Sequence, residues 1–366
     1  MSQIRLVIAD TDYLFLEKIS TYLQNNKASG FSLELFTDKN KLADWFRNSG
    51  NADLVIISSS LYNELDEKPE NKNVFLLRDC AESLVPQGIK GMNKYSPADQ
   101  IMKEILSLCA EYIPRDINSE KRNGQINLIL YADGSDALNP IAQGLTYINA
   151  SRGKKVLYMS LDEFSNTELY FNSDNTKGLS EMLYYAKSKK DNLSLKAEVC
   201  TSLDVSTGVY FMKGHNNPED VKNLNEEELS ALIKAVQRSS PYEEIVISRA
   251  FLTDSITMKL LNEAHRIYIS ALNYPSSLNR LQKIGSLIRR FEEEKGYKLN
   301  QKVVFCICSV NNCQMPVNAN ISDIRIINLP CSDNRDARSS QPSNEYLTAL
   351  ESALNKFEEY LNGKDF

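Results

Sequence analysis

Asn127-Leu128-Ile129-Leu130-Tyr131-Ala132-Asp133-Gly134-Ser135-Asp136-Ala137-Leu138-Asn139-Pro140 joins an apolar strand to a helical stretch that runs into Ser151-Arg152-Gly153-Lys154-Lys155-Val156-Leu157-Tyr158-Met159-Ser160-Leu161-Asp162. Strand, loop, helix and second strand in that order open a parallel α/β sheet, and the loop stands where such sheets cradle phosphate. A working cradle needs successive glycines so that backbone N–H groups can close on the anion, a lysine to neutralise it, and a Ser/Thr hydroxyl to hold Mg²⁺. Here Gly134 is the only glycine of the loop, and no lysine occurs from Gln125 to Gly153. The frame is retained while the phosphate chemistry is not.

Outward from this loop the strand and helix rhythm continues in both directions. Downstream, apolar runs at Val209 to Lys213, Glu244 to Ser248, Ile267 to Ala271, Val303 to Ser309 and Ile324 to Leu329 predict strands. Helical spacing covers Pro140 to Arg152, Gly178 to Lys187, Asn225 to Ser239, Thr253 to Ala264, Tyr274 to Glu294 and Asn344 to Leu361. Upstream, Ile4 to Ala9, Ser32 to Phe36, Asp53 to Ser58 and Val74 to Leu77 alternate with helical stretches at Tyr13 to Gln24, Lys39 to Arg47 and Ala98 to Cys109. The polar, Pro- and Gly-containing stretch 113–124 reads as a linker. The fold class that follows is α/β with two doubly wound domains, residues 1–112 and 125–366, each on a mainly parallel sheet.

Composition narrows the functional classes. The 366 residues are 42% hydrophobic and 25% charged, as ordinary globular chains are, and the net charge is −6. Residues 1–115 carry 13 Lys+Arg against 16 Asp+Glu, so neither half is a basic surface for nucleic acid. No apolar run suggests a membrane span or a secretory leader, so the sequence predicts a cytoplasmic protein without direct membrane insertion. The seven cysteines (Cys80, Cys109, Cys200, Cys306, Cys308, Cys313, Cys331) lack zinc-like spacing and read as packed thiols.

In the first domain, Val7-Ile8-Ala9-Asp10-Thr11-Asp12 and Asp53-Leu54-Val55-Ile56-Ile57-Ser58 resemble the receiver domain of bacterial response regulators. That family has two acids after the first strand, an aspartate ending the third, Ser/Thr ending the fourth and lysine ending the fifth. Matched by position, Asp10 keeps the first acid and Thr11 replaces the second. Ser58 stands for the phospho-accepting aspartate, Arg78 for the Ser/Thr, and Lys94 matches the lysine. A serine cannot form an acyl phosphate, so Asp10, Asp12, Ser58 and Lys94 are expected to satisfy one another within a constitutive docking module, with Asp10 as the partner that a buried Lys94 requires. A retained switch driven by another signal is the alternative.

In the second domain, roughly residues 125–335 resemble the MinD/ParA-type P-loop ATPases. Counting back from Arg152-Gly153-Lys154-Lys155-Val156-Leu157, Asn139 and Pro140 fall at that family's paired Thr/Ser positions, Leu138 at the loop lysine and Asp133 at its additional lysine. Asp162 matches an acid after the second strand. The aspartate expected after the Glu244 to Ile247 strand is represented by Ser248-Arg249-Ala250, and Asn311 resembles an asparagine near adenine, although Asn311-Asn312 is equally an ordinary turn signal. Two unit charges about 4 Å apart interact by about 4 kcal/mol at an effective dielectric of 20, so Asp133 and Asp136 are expected to repel a triphosphate. Asp133, Gly134, Ser135, Asp136, Ala137, Leu138, Asn139 and Pro140 thus form a degenerate nucleotide loop, with Asp162, Arg249 and Asn311 as residual nucleotide-site positions.

A receiver-like domain followed by this ATPase frame resembles the TadZ/CpaE family of tight-adherence (Flp-type) pilus assembly proteins. The resemblance implies a cytoplasmic scaffold with pilus-assembly proteins and polar localisation factors as partners. It also carries the family's frequent ATP binding, which the altered loop puts in question; no catalytic residue, metal or cofactor is expected. An ATP-binding dimerisation switch and an atypical response regulator are the alternatives. His215 and His265 stand alone and suggest no metal site. The last helix aligns Leu347, Leu350, Leu354, Phe357 and Leu361 against Glu345, Glu351, Glu358 and Glu359. An acidic polar face is wrong for anionic lipid, so this helix is expected to pack on the core.

Overall fold

The computed structural model describes residues 4–25, 31–48, 50–69, 73–79, 86, 89–113, 124–134, 136–188, 192–296, 298–309, 324–332 and 341–361. The chain forms two compact units, one of residues 1–121 with 188–199 and 238–240, the other of the remainder.

In the first unit the order is β1 (Ile4–Ala9), α1 (Tyr13–Asn25), β2 (Phe31–Phe36), α2 (Lys39–Arg47), β3 (Leu54–Ser58), α3 (Ser59–Glu64), β4 (Val74–Arg78), β5 (Gly91–Asn93) and α4 (Ala98–Tyr112). The five strands are parallel in the order β2-β1-β3-β4-β5, which is doubly wound. Successive side chains of a strand point to opposite faces. On β1 Leu6 and Ile8 accordingly join α1 and α4 in one core, while Val7 and Ala9 join Leu42 and Leu61 in the other.

In the second sequence half the order is β6 (Gln125–Tyr131), α5 (Ile141–Ser151), β7 (Val156–Ser160), α6 (Thr167–Tyr170), α7 (Leu179–Lys187), α8 (Leu193–Cys200), β8 (Thr201–Asp204), β9 (Val209–Met212), α9 (Pro218–Lys222), α10 (Glu226–Ser239), β10 (Glu244–Ala250), α11 (Ser255–Glu263), β11 (Arg266–Leu272), α12 (Pro275–Lys295), β12 (Val303–Ser309), β13 (Arg325–Pro330) and α13 (Asn344–Leu361). Eight strands form one sheet, β13-β12-β11-β6-β10-β7-β9-β8, parallel except for β8 against β9. The α/β class with two doubly wound sheets is therefore as expected from the sequence. β8, β5, α3, α6, α8 and α9 are additions to that reading, all of them short.

Two packing arrangements matter below. The last helix, α13, buries Tyr346, Leu350, Leu354 and Phe357 in the same core as α5. Close approach depends on Gly144, where an added Cβ would come within 2.7 Å of a Leu350 methyl. The amphipathic face of α13 is thus core-facing, as its acidic opposite face implied. No helix of the described residues is long and apolar enough to cross a membrane.

The other arrangement was not visible in the sequence. Most of α8 belongs to the first unit, where Leu195 and Val199 enter the core beside Ile101, Ile105 and Cys109. Asn192, in a left-handed conformation (φ 61°) that asparagine tolerates, donates from Nδ2 to the Ile113 carbonyl at 2.5 Å. Lys196 Nζ donates to the Ser107 carbonyl at 3.3 Å. The expected linker, 113–124, lies outside the described residues except at its ends.

Candidate functional site

The receiver-like pocket forms at the carboxyl ends of β1, β3, β4 and β5. Asp10, just past β1, is buried, donates its backbone N–H to the Phe36 carbonyl at 3.0 Å and accepts from the Asp12 N–H at 2.9 Å. Lys94 follows β5 and is also buried. Its ammonium lies 2.8 Å from Asp10, 3.4 Å from Asp12 and 3.6 Å from Asp79. Burial pulls the Lys94 pKa down, but Asp10 first, then Asp79 and Asp12, outweigh it and hold the ammonium above its ordinary value. A cation fixed among these carboxylates neutralises them from within, which is the internal satisfaction expected of Asp10 and Lys94.

Ser58 does not join this cluster as the sequence led one to expect; it has no access to solvent and serves a local purpose. It is the N-cap of α3, its hydroxyl accepting from the Leu61 N–H at 3.4 Å and lying 3.2 Å from the Ser60 hydroxyl. Thr11 is exposed. Arg78 ends β4, with its Nε buried and without a hydrogen-bond partner among the described residues. Asp12 caps the start of α1 through the Phe15 N–H at 3.1 Å, and that bond, ahead of Lys94, lowers its pKa.

In the second unit, residues 132–140 connect β6 to α5, with Gly134 in the left-handed region (φ 69°). Pro140 is the residue before the helix, with φ −76°, and gives no side-chain cap. Two of the backbone donors that open α5 have partners within the protein. Ile141 N–H donates to the Asn139 carbonyl at 2.8 Å, Ala142 N–H approaches the Tyr131 hydroxyl at 3.5 Å, and Pro140 has no N–H. Asn139 is buried, its Nδ2 donating to the Ser270 hydroxyl at 2.8 Å and its Oδ1 accepting from Tyr346 at 2.7 Å. The Leu138 carbonyl accepts from the Ser332 N–H at 2.9 Å. Asp133 accepts from the Leu272 N–H at 2.8 Å, and Asp136 from Asn166 Nδ2 at 3.4 Å. Ala137 is exposed.

The flanking positions are likewise engaged. Asp162 accepts from the Ala250 N–H and from the Ser160 hydroxyl, while its carbonyl lies 2.7 Å from His215 Nε2. Burial raises its carboxyl pKa, the Ala250 N–H opposes that shift, and Asp136 adds to it. Ser248, at the position of the missing aspartate, is buried with its hydroxyl 3.1 Å from Tyr158, which also accepts from Gln143 at 3.2 Å. Arg249 is turned to α11, bidentate on Asp254 at 3.0 and 2.6 Å and bonded to Thr257 at 3.1 Å. Ser135 and Asn311 lie outside the described residues. The described loop therefore does not fit a magnesium-bound triphosphate. No cationic side chain belongs to it, the Ile141 and Ala142 amides have internal partners, and Asp133 stands at one of the lysine positions. Among the described residues no group of His, Cys, Asp or Glu could hold a metal ion.

Sequence reasoning missed two participants. Tyr346 and Ser270, which hold Asn139, lie 207 and 131 residues from it, beyond any local signal.

Comparison with known proteins agrees with the two folds. Residues 2–110 match the family model of the TadZ-like receiver domain. A ParA family ATPase from Chlorobium tepidum TLS is similar in structure with a TM-score of 0.52 at 16% identity, covering 64% of this chain and 98% of that one. A putative plasmid partition protein from Borrelia burgdorferi B31, bound to AMPPNP, gives 0.51 at 16% identity, covering 65% and 99%. Identities this low establish the fold. No curated protein matches the chain in sequence. Residues 2–110 are thus similar to a TadZ-like receiver domain, and the chain shares its fold with ParA-type ATPases.

Proposed function

We propose that this protein is a non-catalytic scaffold of tight-adherence pilus assembly, working by protein docking at the cytoplasmic side of the membrane. The observation that carries the reading is the internal satisfaction of the phosphate loop. A ParA-type frame has kept its strand, loop and helix while Asn139, Leu138, Asp133 and the first amides of α5 bond to the protein itself. The receiver pocket supports it independently, since a serine caps a helix where an acyl phosphate would form and Lys94 neutralises the acids. Two domains that keep their folds without nucleotide or phosphoryl chemistry retain their surfaces as the means of action. The pilus context rests on the TadZ-like match of residues 2–110.

Tagged protein recovered from its host should bring down cytoplasmic pilus-assembly components or polar localisation factors, and deletion of residues 1–115 should reduce its localisation. Diffuse protein, unaffected by that deletion and recovering no pilus component, counts against the scaffold reading. ATP-dependent dimerisation with slow turnover would select the ParA-like switch instead.

A further inference from the structure

Large apolar side chains are costly to leave in water, so a group of them around one site calls for an occupant. Tyr13, Leu14 and Tyr95 are 65%, 64% and 71% exposed. At about 200 Å² per side chain they present roughly 400 Å², the size of patch that is often functional. Tyr13 and Leu14 open α1 directly after Asp12, and Tyr95 directly follows Lys94. Lys94 ties the two segments together, its ammonium 5.1 Å from the centre of the Phe15 ring and 6.0 Å from that of Tyr95.

Of the charged groups that meet at Lys94, those that reach solvent are carboxylates. Lys94 is buried, whereas Asp12 is exposed and Asp79 half-exposed, so the cation is hidden and the carboxylates face solvent. Phenol rings and carboxylates side by side suit an arginine or lysine, which pairs with the acids and stacks on the rings. Leu14 offers the adjacent apolar contact. The face of α4 that Leu195 and Val199 enter is, by contrast, already covered.

We infer that the rim of the receiver pocket, formed by Tyr13, Leu14 and Tyr95 with Asp12 and Asp79, docks a partner-protein segment carrying an arginine or lysine beside an apolar side chain. A second copy of this chain is the poorer occupant, because a two-fold contact would set acidic rim against acidic rim. The inference rests on the scaffold reading and names the partner chemistry of one of its surfaces.

The test uses the full chain in its host with the photo-crosslinker p-benzoylphenylalanine at position 13, at 95, or at the control position Leu35, which is 41% exposed on β2. Adducts are expected at 13 and 95 and not at 35, on a segment of another protein with Lys or Arg next to an apolar residue. Asp12→Asn combined with Asp79→Asn, which leave the buried Asp10–Lys94 pair in place and add no cation beside it, should lower the adduct yield about tenfold. Leu14→Ser should lower it as well, giving a second variant that leaves the ion pairs intact. Absence of adducts, self-adducts, adducts on an acidic segment, or a yield indifferent to both variants overturns the inference. Adducts at Phe164, 79% exposed in the second unit, with none at 13 or 95 would defeat this surface and leave the scaffold reading standing. ATP turnover would defeat that reading and leave this surface standing.

Discussion

The two altered sites close themselves by different physical means. In the receiver pocket one buried cation holds the acids together, whereas in the phosphate loop the buried side-chain contacts are neutral, Asn139 with Ser270 and Tyr346. A charge cannot be left unpaired in a buried place without large cost, while a neutral hydrogen bond can be lost for less. The first site should therefore be brittle to single substitutions and the second tolerant. Loss of catalytic chemistry has left a coupled pair in one domain and a distributed network in the other.

The largest effect should come from Lys94→Met, which leaves Asp10 buried without its ammonium. A cost of about 3–5 kcal/mol to the first unit is expected in denaturant melts, with a good part recovered when Asp10→Asn is added. Additive costs would mean the pair is not coupled. The sign with pH follows from the raised Lys94 pKa. Its contribution is complete below the ordinary lysine value of 10.5 and fades as pH rises through the higher folded value, so the unmodified unit should lose stability there relative to Lys94→Met.

Next in size is Leu195→Ala, which empties a position in the core of the first unit although it lies far along the sequence from the rest of that unit. Truncation of a buried leucine costs about 2–5 kcal/mol. The melt to watch is that of the first unit, and a loss confined to the second unit would show that α8 is not part of the receiver core. Tyr346→Phe probes the neutral network and should cost about 1–3 kcal/mol, because the Asn139 oxygen loses its donor in a buried place. A cost equal to that of Lys94→Met would erase the contrast between the sites.

The sequence foretold what periodicity and charge can carry. Strands such as Ile4–Ala9 and Val303–Ser309 and the apolar faces of α4 and α13 follow from spacing alone. The Asp10 to Lys94 pairing was legible because a buried lysine demands an acid, and few acids end neighbouring strands. Illegible were contacts set only by the fold, such as Tyr346 on Asn139 and the placing of α8 with the first unit. Arg249 was read as a residual nucleotide-site position because Ser248-Arg249-Ala250 stands where the resembled ATPases have an aspartate. Its actual partner, Asp254, lay five residues away as the N-cap of α11, a signal that local reading could have used.

The central claim is that the phosphate loop is satisfied from within. The measurement that tests it most directly is calorimetric titration of the unmodified full chain with ATP in the presence and absence of Mg²⁺. Two missing charge-assisted contacts at about 1.5–3 kcal/mol each weaken binding by about a hundredfold or more. The account predicts no saturable heat at micromolar ATP, with or without Mg²⁺. Stoichiometric, Mg²⁺-dependent binding at micromolar concentration would contradict it, showing that the amides of Ile141 and Ala142 leave their internal partners for phosphate.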